Sequence, residues 1–488
     1  MVFRFCGIFL IRIVNLNEQI IYLKIIQMKS AVSVVFLCFS LFSFGQISEG
    51  KWNGELKVMG TSQEITLDVQ TKGGFQSVFL VAPSNPSIKY EFDSVFWDES
   101  SFFFIHEKLG ISYEGEYSKD SMIGIFKQNG FVLDLVMTKD SLVKKEMKRP
   151  QTPKSFDQFF TQELNVENVT DSISLSGTLT FPSQDGKFPV VVLVSGSGPQ
   201  NRDSELFRHR PFAVIAEHLA QQGIGSFRYD ERGVGKSSGV YAGSSLSDLY
   251  SDLDAVMETI SSHKSVSKLG VLGHSEGGIL APKYASQNKR KIDFVILLAA
   301  PGMPISEMMH LQREIIYKNQ GVSTEIIAEQ KALFEAIDEV VMKQNGEEKS
   351  VNLKSILEAY VEQKKMDESN KELFIETQFK LLNSDWYKEF VSVVPEDYLT
   401  KLRCSVLAIG GGKDVQVPLK PNMKEIEKAL KKSKGKMFLK RTIQCSRYNE
   451  LNHLLQPSDS GMPDEYSEIE TTISRDVLFN ISDFIKQQ

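Results

Sequence analysis

Two different rhythms of apolar and polar positions divide this chain of 488 residues. From Gly50 to Asp140 apolar residues alternate with polar ones in short runs: Trp52–Val58, Glu64–Val69, Phe75–Val81, Lys89–Trp97, Phe102–His106, Ser112–Tyr117, Met122–Phe126 and Phe131–Met137. Alternation at period two is the signature of a half-buried strand, and turn signals such as Lys72-Gly73-Gly74 and Gln128-Asn129-Gly130 separate the runs. Evenly spaced short strands predict a small all-β barrel or sandwich over residues 46–143. Phe92, Phe96, Phe102 and Phe104 are expected to fill its core, with the lining of a ligand cavity as the alternative. The polar, turn-rich segment 144–160 reads as a linker.

From about Thr161 the rhythm changes. Near-continuous apolar runs at Ile173–Thr180, Pro189–Val194, Gly225–Tyr229, Leu269–Leu272, Phe294–Ala299 and Ser405–Gly410 read as buried strands, and a further strand is expected at Met437–Ile443. Between them, helical periodicity appears at Pro211–Gln222 and at Asp248–Ser261, the latter with Ser247 as its expected N-cap. Strands alternating with helices predict an α/β domain over 161–488, a mostly parallel sheet covered by helices on both faces. Between Pro301 and Pro395 the strand signal vanishes and helices are expected at Ile305–Lys318, Glu325–Lys343, Leu353–Gln363 and Glu372–Val391. Such an insertion, at about 303–398, predicts a helical cap above the strand ends, where parallel sheets hold their sites.

The first 45 residues do not read as fold. Met28-Lys29-Ser30, the apolar run Ala31–Phe44 and the small residues around Gly45 predict a signal peptide over 28–45. Residues 1–27 then lie upstream of the true start, with a membrane anchor as the alternative, and the protein is expected to be exported to the periplasm or the exterior. Charge sharpens the picture. The net charge is −6, and without residues 1–45 there are 52 basic against 61 acidic residues. An acidic chain with no basic patch makes nucleic acid an unexpected partner. No membrane span is expected once the leader is removed. Cys6 and Cys38 fall in the leader, and Cys404 and Cys445 are placed out of register for a bridge. No metal-ligand spacing or dinucleotide fingerprint appears, so no metal or other cofactor is expected.

The chemistry centres on Gly273-His274-Ser275-Glu276-Gly277-Gly278. An apolar strand precedes it and a helix can begin directly after it, the setting in which a Gly-x-Ser-x-Gly turn lifts a serine hydroxyl clear of a sheet edge. Gly235-Lys236-Ser237-Ser238-Gly239 fits the same pattern but sits in a Gly/Ser-rich loop with no helix behind it, so Ser275 is the expected nucleophile. A serine hydroxyl needs a base, itself oriented by a carboxylate, and for a turn of this kind the acid and then the base follow in the chain. His453 alone of the seven histidines lies beyond residue 310; His274 is expected to point elsewhere, and His106, His209, His218, His263 and His310 precede any suitable acid. Asp414, after the strand and turn Val406–Lys413, is the expected acid. Main-chain N–H groups of Glu276 and, from the loop Ser195–Pro199, Ser197 are the expected oxyanion donors.

Taken together, Gly196–Asp203, Arg228–Gly235, Gly273–Gly278, Gly412-Lys413-Asp414 with Val417-Pro418, and Leu451-Asn452-His453 resemble the α/β-hydrolase superfamily, most nearly its serine aminopeptidase-like bacterial esterases, which often carry an N-terminal β domain. The resemblance covers about 161–488 and implies an α/β-hydrolase fold with Ser275, Asp414 and His453 as catalytic triad and Arg202, Asp203 and Asp230 bracing loops near the site. Pro282 departs from a regular turn-to-helix pattern and leaves the first turns of the following helix in doubt. Gly50-Lys51-Trp52 is similar to the entry motif of lipocalin-like barrels. The expected activity is hydrolysis of small carboxylic esters through an acyl-enzyme. Two alternatives stand beside it: an aminopeptidase or proline iminopeptidase acting on short peptides, with a cap acid such as Glu325, Glu335 or Glu339 holding the amine, and a non-catalytic lipid- or glycan-binding protein.

Overall fold

The computed structural model describes residues 47–58, 61–72, 75–81, 89–98, 100–128, 131–139, 148–287, 292–366, 368–434 and 441–488. The expected signal peptide, Cys6 and Cys38 lie outside these residues. Among the described residues no helix is long and apolar enough to cross a membrane. They form two compact units, divided after Lys145.

The N-terminal unit is one antiparallel sheet of nine strands: β1 Gly50–Val58, β2 Thr61–Lys72, β3 Phe75–Val81, β4 Lys89–Glu91, β5 Ser94–Trp97, β6 Ser101–His106, β7 Ile111–Tyr117, β8 Ser121–Gln128 and β9 Phe131–Thr138. The expected run Lys89–Trp97 is two strands. Phe92 turns into the core there, and the Asp93 carboxylate accepts the Glu107 N–H at 2.7 Å. The order β4-β3-β2-β1-β9-β8-β7-β6-β5 pairs the first strand with the last and leaves as edges two strands adjacent in sequence, so the sheet curls around one core. Trp52, Leu67, Val78, Phe104, Tyr113, Phe126 and Met137 fill it. Burying each such side chain contributes on the order of 2 kcal/mol. Phe92, Phe102 and Phe104 belong to this core, whereas Phe96 points outward, 62% exposed.

The C-terminal unit is built on an eight-stranded sheet: β10 Phe160–Asn168, β11 Ile173–Phe181, β12 Phe188–Val194, β13 Gly225–Tyr229, β14 Val266–His274, β15 Phe294–Leu298, β16 Ser405–Gly411 and β17 Ile443–Tyr448, in the order β10-β11-β13-β12-β14-β15-β16-β17. β11 pairs antiparallel with both β10 and β13, and the six strands β12 to β17 run parallel. Helices α1 Pro211–Gln221, α2 Leu246–Ser261, α3 Gly277–Ser286, α10 Leu419–Lys434 and α11 Arg475–Lys486 accompany the sheet. The cap comprises α4 Ile305–Asn319, α5 Thr324–Lys343, α6 Gly346–Gln363, α7 Glu368–Leu382 and α8 Asp385–Val391, followed by the short α9 Glu396–Leu399. The core joins Val191, Leu193, Phe294, Ile296 and Leu407 of the sheet to Ile215 of α1 and to Ile481 and Phe484 of α11.

Several local expectations are corrected. β10 was not anticipated; it is an edge strand, half of whose residues face solvent, so it carries little apolar signal. The N-cap of α2 is Ser245, not Ser247: Ser245 and Asp248 form a reciprocal capping box, while the Ser247 hydroxyl donates to Glu389 of α8 at 2.8 Å. The expected helix Glu372–Val391 breaks at Asn383-Ser384, where the Ser384 hydroxyl accepts the Tyr387 N–H and starts α8. Pro282 lies inside α3 without ending it. The strand expected at Met437–Ile443 is β17, which begins where that expectation ends; residues 435–440 are outside the described set. Near the expected linker, Arg149 is strapped to the unit by donating to the carbonyls of Phe207, Ser467 and Ile469. Cys404 and Cys445 are unbridged.

Candidate active site

Ser275 sits between the end of β14 and the start of α3 with φ +54°, the left-handed region in which a non-glycine residue is strained. Steric necessity explains the glycines around it. A Cβ on Gly273 would lie 2.0 Å from the Gly277 carbonyl oxygen, and one on Gly277 would lie 2.3 Å from that of Val194. The turn is pinned by Ser275 N–H donating to Leu298 O at 3.0 Å and Gly278 N–H to Ser275 O at 2.8 Å. The rival motif is put to a different use: the Ser237 hydroxyl donates to Asp230 O at 2.6 Å and accepts the Ser176 N–H, tying two loops.

Asp414 follows β16, and His453 follows β17, the next strand in the sheet. Their loops meet because Gly411 and Gly412 leave room: a Cβ on either would strike the carbonyl oxygens of Leu451 or Asn449, at 2.2 and 2.4 Å. Asp414 Oδ1 accepts the Gln416 and Val417 N–H groups, both at 2.8 Å, which aims Oδ2 at His453 Nδ1, 2.9 Å away. Both side chains are 1% exposed. With Nδ1–H donated to the carboxylate, Nε2 is left as an acceptor. Ser275 and His453 line one cavity with Gly196, Ser197 and Glu276. The Ser275 hydroxyl is not hydrogen-bonded to His453 here, a separation that unliganded sites commonly close on binding.

His274 is turned to the main chain of His453. Its Nε2 lies 3.0 Å from the His453 carbonyl oxygen, and since a carbonyl only accepts, Nε2 carries the proton. The two rings lie 5.0 Å apart. Burial, with the neighbouring His453, pushes its pKa down to about 3, so the ring is neutral at physiological pH.

On the opposite side, neither the Ser197 nor the Glu276 main-chain N–H is donated within the protein, among the described residues. The loop between them and β12 is held by two buried carboxyls that sequence reasoning missed as side chains. Glu276 accepts from the Ser197 hydroxyl and from Trp386 Nε1 of α8, both at 3.1 Å. Glu231 accepts from the Ser195 hydroxyl at 2.7 Å and the Gln200 N–H at 2.8 Å. Burial pushes these carboxyls up to about 7 and about 8 respectively. Arg202 donates to both Asp230 oxygens, at 3.1 and 2.8 Å, and to Glu163 of β10, while Asp203 pairs with Arg210 and Arg228.

Elsewhere in the unit a second buried histidine–aspartate pair lies in the cap. His310 Nε2 approaches Asp338 Oδ2 at 3.2 Å without the alignment of a hydrogen bond. Arg313 Nη1 occupies His310 Nδ1 at 3.1 Å, and Tyr387 donates to Asp338 Oδ1 at 2.6 Å. The cap acids Glu325, Glu335 and Glu339 are all exposed, away from the cavity. His209 does line the cavity, but its ring nitrogens meet Thr472 and the Tyr466 carbonyl.

Residues 209–369 match the family model described as serine aminopeptidase, S33. The esterase EstD of Thermotoga maritima is 34% identical over 138 residues, 28% of this chain and 33% of that protein, so the chain spans about a third of the length of the curated relative it matches. Among solved structures, an esterase of Pyrococcus furiosus aligns with a TM-score of 0.40 at 17% identity, covering 69% of this chain and 94% of its own. Est1E of Butyrivibrio proteoclasticus, with ferulic acid bound, aligns with a TM-score of 0.39 at 15% identity, covering 67% and 98%. The strand order itself carries the fold. Six parallel strands, a helical excursion between β15 and β16, and a strained serine turn closing the central strand give the C-terminal unit an α/β-hydrolase fold, similar over residues 209–369 to the serine aminopeptidases of family S33.

Proposed function

We propose that the C-terminal unit hydrolyses small carboxylic esters through an acyl-enzyme formed on Ser275. The observation that supports this reading is the buried Asp414–His453 hydrogen bond, which leaves the other imidazole nitrogen as an acceptor on a residue that lines one cavity with Ser275. In the acylation step His453 Nε2 takes the hydroxyl proton as Ser275 Oγ bonds to the ester carbonyl carbon, and the carbonyl π electrons move onto oxygen. The N–H groups of Ser197 and Glu276 stabilise that oxyanion. Collapse expels the alcohol, which receives the proton from His453. Water, deprotonated by the same nitrogen, then releases the acid by the reverse sequence.

The ester reading is favoured over the peptidase because the cap acids considered for holding a substrate amine are exposed, and because the relative matched over 138 residues is an esterase. The apolar run Ala31–Phe44 supports export, and small-molecule esters are the proposed substrates. Turnover of a chromogenic acetate ester by wild type and Ser275→Ala, beside fluorophosphonate labelling of Ser275, tests the proposal. Loss of both labelling and turnover in the variant is expected; retention of wild-type turnover overturns it.

A further inference from the structure

Helix α4 presents two faces. His310 and Arg313 pack into the cap interior, where Arg313 also lies over the Phe334 ring at 3.7 Å. Met308, Met309 and Gln312 face the cavity that holds Ser275, Glu276 and His453. That cavity has an empty volume of about 1040 Å³, its open mouth included, and Phe390 of α8 adds to its apolar wall. Gln312 is the exception in this wall. It is 8% exposed, and its Oε1 is wholly buried with no hydrogen-bond partner among the described residues.

The neighbouring polar side chains are engaged. The Ser197 hydroxyl donates to Glu276, Gln416 Nε2 donates to the Tyr466 hydroxyl, and His209 is held by Thr472 and Tyr466. A buried acceptor without a donor is unfavourable, and a few placed polar groups in an apolar cavity are what orient a ligand. We propose that Gln312 reads an uncharged hydrogen-bond donor on the substrate, so that the preferred esters carry a hydroxyl or N–H group on the portion that contacts α4. This rests on reading the cavity as the ester site. A neutral amide oxygen amid methionine and phenylalanine side chains suits a neutral donor; an ammonium group would lose its hydration there without gaining a countercharge.

Binding of non-hydrolysable ketones to the full chain tests this independently of turnover. The ligands are 4-phenylbutan-2-one and its three ring-hydroxylated isomers, in which the ketone stands in for the ester carbonyl. In wild type the best hydroxylated isomer is expected to bind at least about tenfold more tightly than the parent, because a site built to bond a hydroxyl discriminates against the analogue lacking it. Gln312→Met should bring the two within about twofold, whereas Gln312→Glu, which keeps an acceptor, should retain the preference. Thermal melting of each variant checks folding, and the wild-type ratio stands without any variant. Equal binding of all four ketones by wild type, or a preference that survives Gln312→Met, overturns the proposal. Failure of the ester reading itself appears separately, as turnover that survives Ser275→Ala.

Discussion

Among the described residues of the C-terminal unit, His453 and His310 each lie against a buried aspartate, and they differ in what faces the ring's other nitrogen. At the sheet edge, Asp414 is fixed by two main-chain N–H groups and bonds one nitrogen of His453, leaving the other toward a cavity. In the cap, His310 is filled on both sides, by Asp338 and by Arg313, and Tyr387 takes the remaining Asp338 oxygen. In the proposed reaction the first arrangement passes a proton. The second has both nitrogens engaged by charged groups and no nucleophile in front of it, so it serves as a clamp between α4, α5 and α8. A histidine beside an aspartate is therefore not by itself a site; what marks His453 out is a ring nitrogen left unengaged in the cavity that Ser275 also lines.

Substitutions should separate the two pairs. The largest effect is expected from His453→Ala, which removes the base and should lower kcat on the order of 10⁵-fold, read with a chromogenic ester. Asp414→Asn should follow at about 10⁴-fold, since an amide no longer enforces the tautomer that leaves Nε2 free to accept. By contrast, Asp338→Ala should leave kcat within about tenfold but cost on the order of 3 kcal/mol of stability by removing the acceptor of the buried Tyr387 hydroxyl and the carboxylate beside His310, visible as a fall in melting temperature. A cap variant that abolished turnover while leaving the melting temperature unchanged would break the distinction.

Smaller effects sharpen it. His274→Phe removes the hydrogen bond to the His453 carbonyl and should reduce kcat by about tenfold with KM retained, since displacement of a base matters most in the transition state. The smallest expected effect is on the pH dependence of stability. Glu231 and Glu276 hold their protons to about pH 8 and about pH 7 when folded, against an ordinary 4.5. Across that window the folded chain binds more protons than the unfolded one, so these groups make stability fall as pH rises and level off above about 8. His274 and His209, held below their ordinary value by burial, act in the opposite sense, lowering stability as pH falls below 6.5. The difference between wild type and Glu231→Gln is therefore the readout: the variant's melting temperature should gain on that of wild type between pH 5 and 8.

Features governed by short-range sterics were legible in the chain. The turn at Ser275 and the buried strands β12 to β16 announce themselves through glycine spacing and apolar runs, because the backbone there tolerates nothing else. The approach of Asp414 to His453 follows from parallel-sheet order, which sets consecutive loops at one edge. Features set by partners distant in sequence were not legible. Ser247 reads as the helix cap, and only the position of Glu389 in the cap shows why that hydroxyl is used elsewhere while Ser245 caps the helix. Nor does anything local to His274 name the His453 carbonyl as its partner, 179 residues on. Glu231 and Glu276 look like ordinary surface acids until the fold buries them, and β10 looks like a loop because it is an edge.

The helical excursion leaves the sheet after Leu298 and returns at Ser405, yet β15 and β16 pair without a break, Phe294 against Ser405 through Leu298 against Ile409. The hydrogen-bonded floor is thus indifferent to what is inserted between those two strands. Such a layout lets a lineage exchange or lengthen the roof while the reaction centre beneath it drifts slowly, so descendants of one ancestor can diverge in diet without reinventing their chemistry.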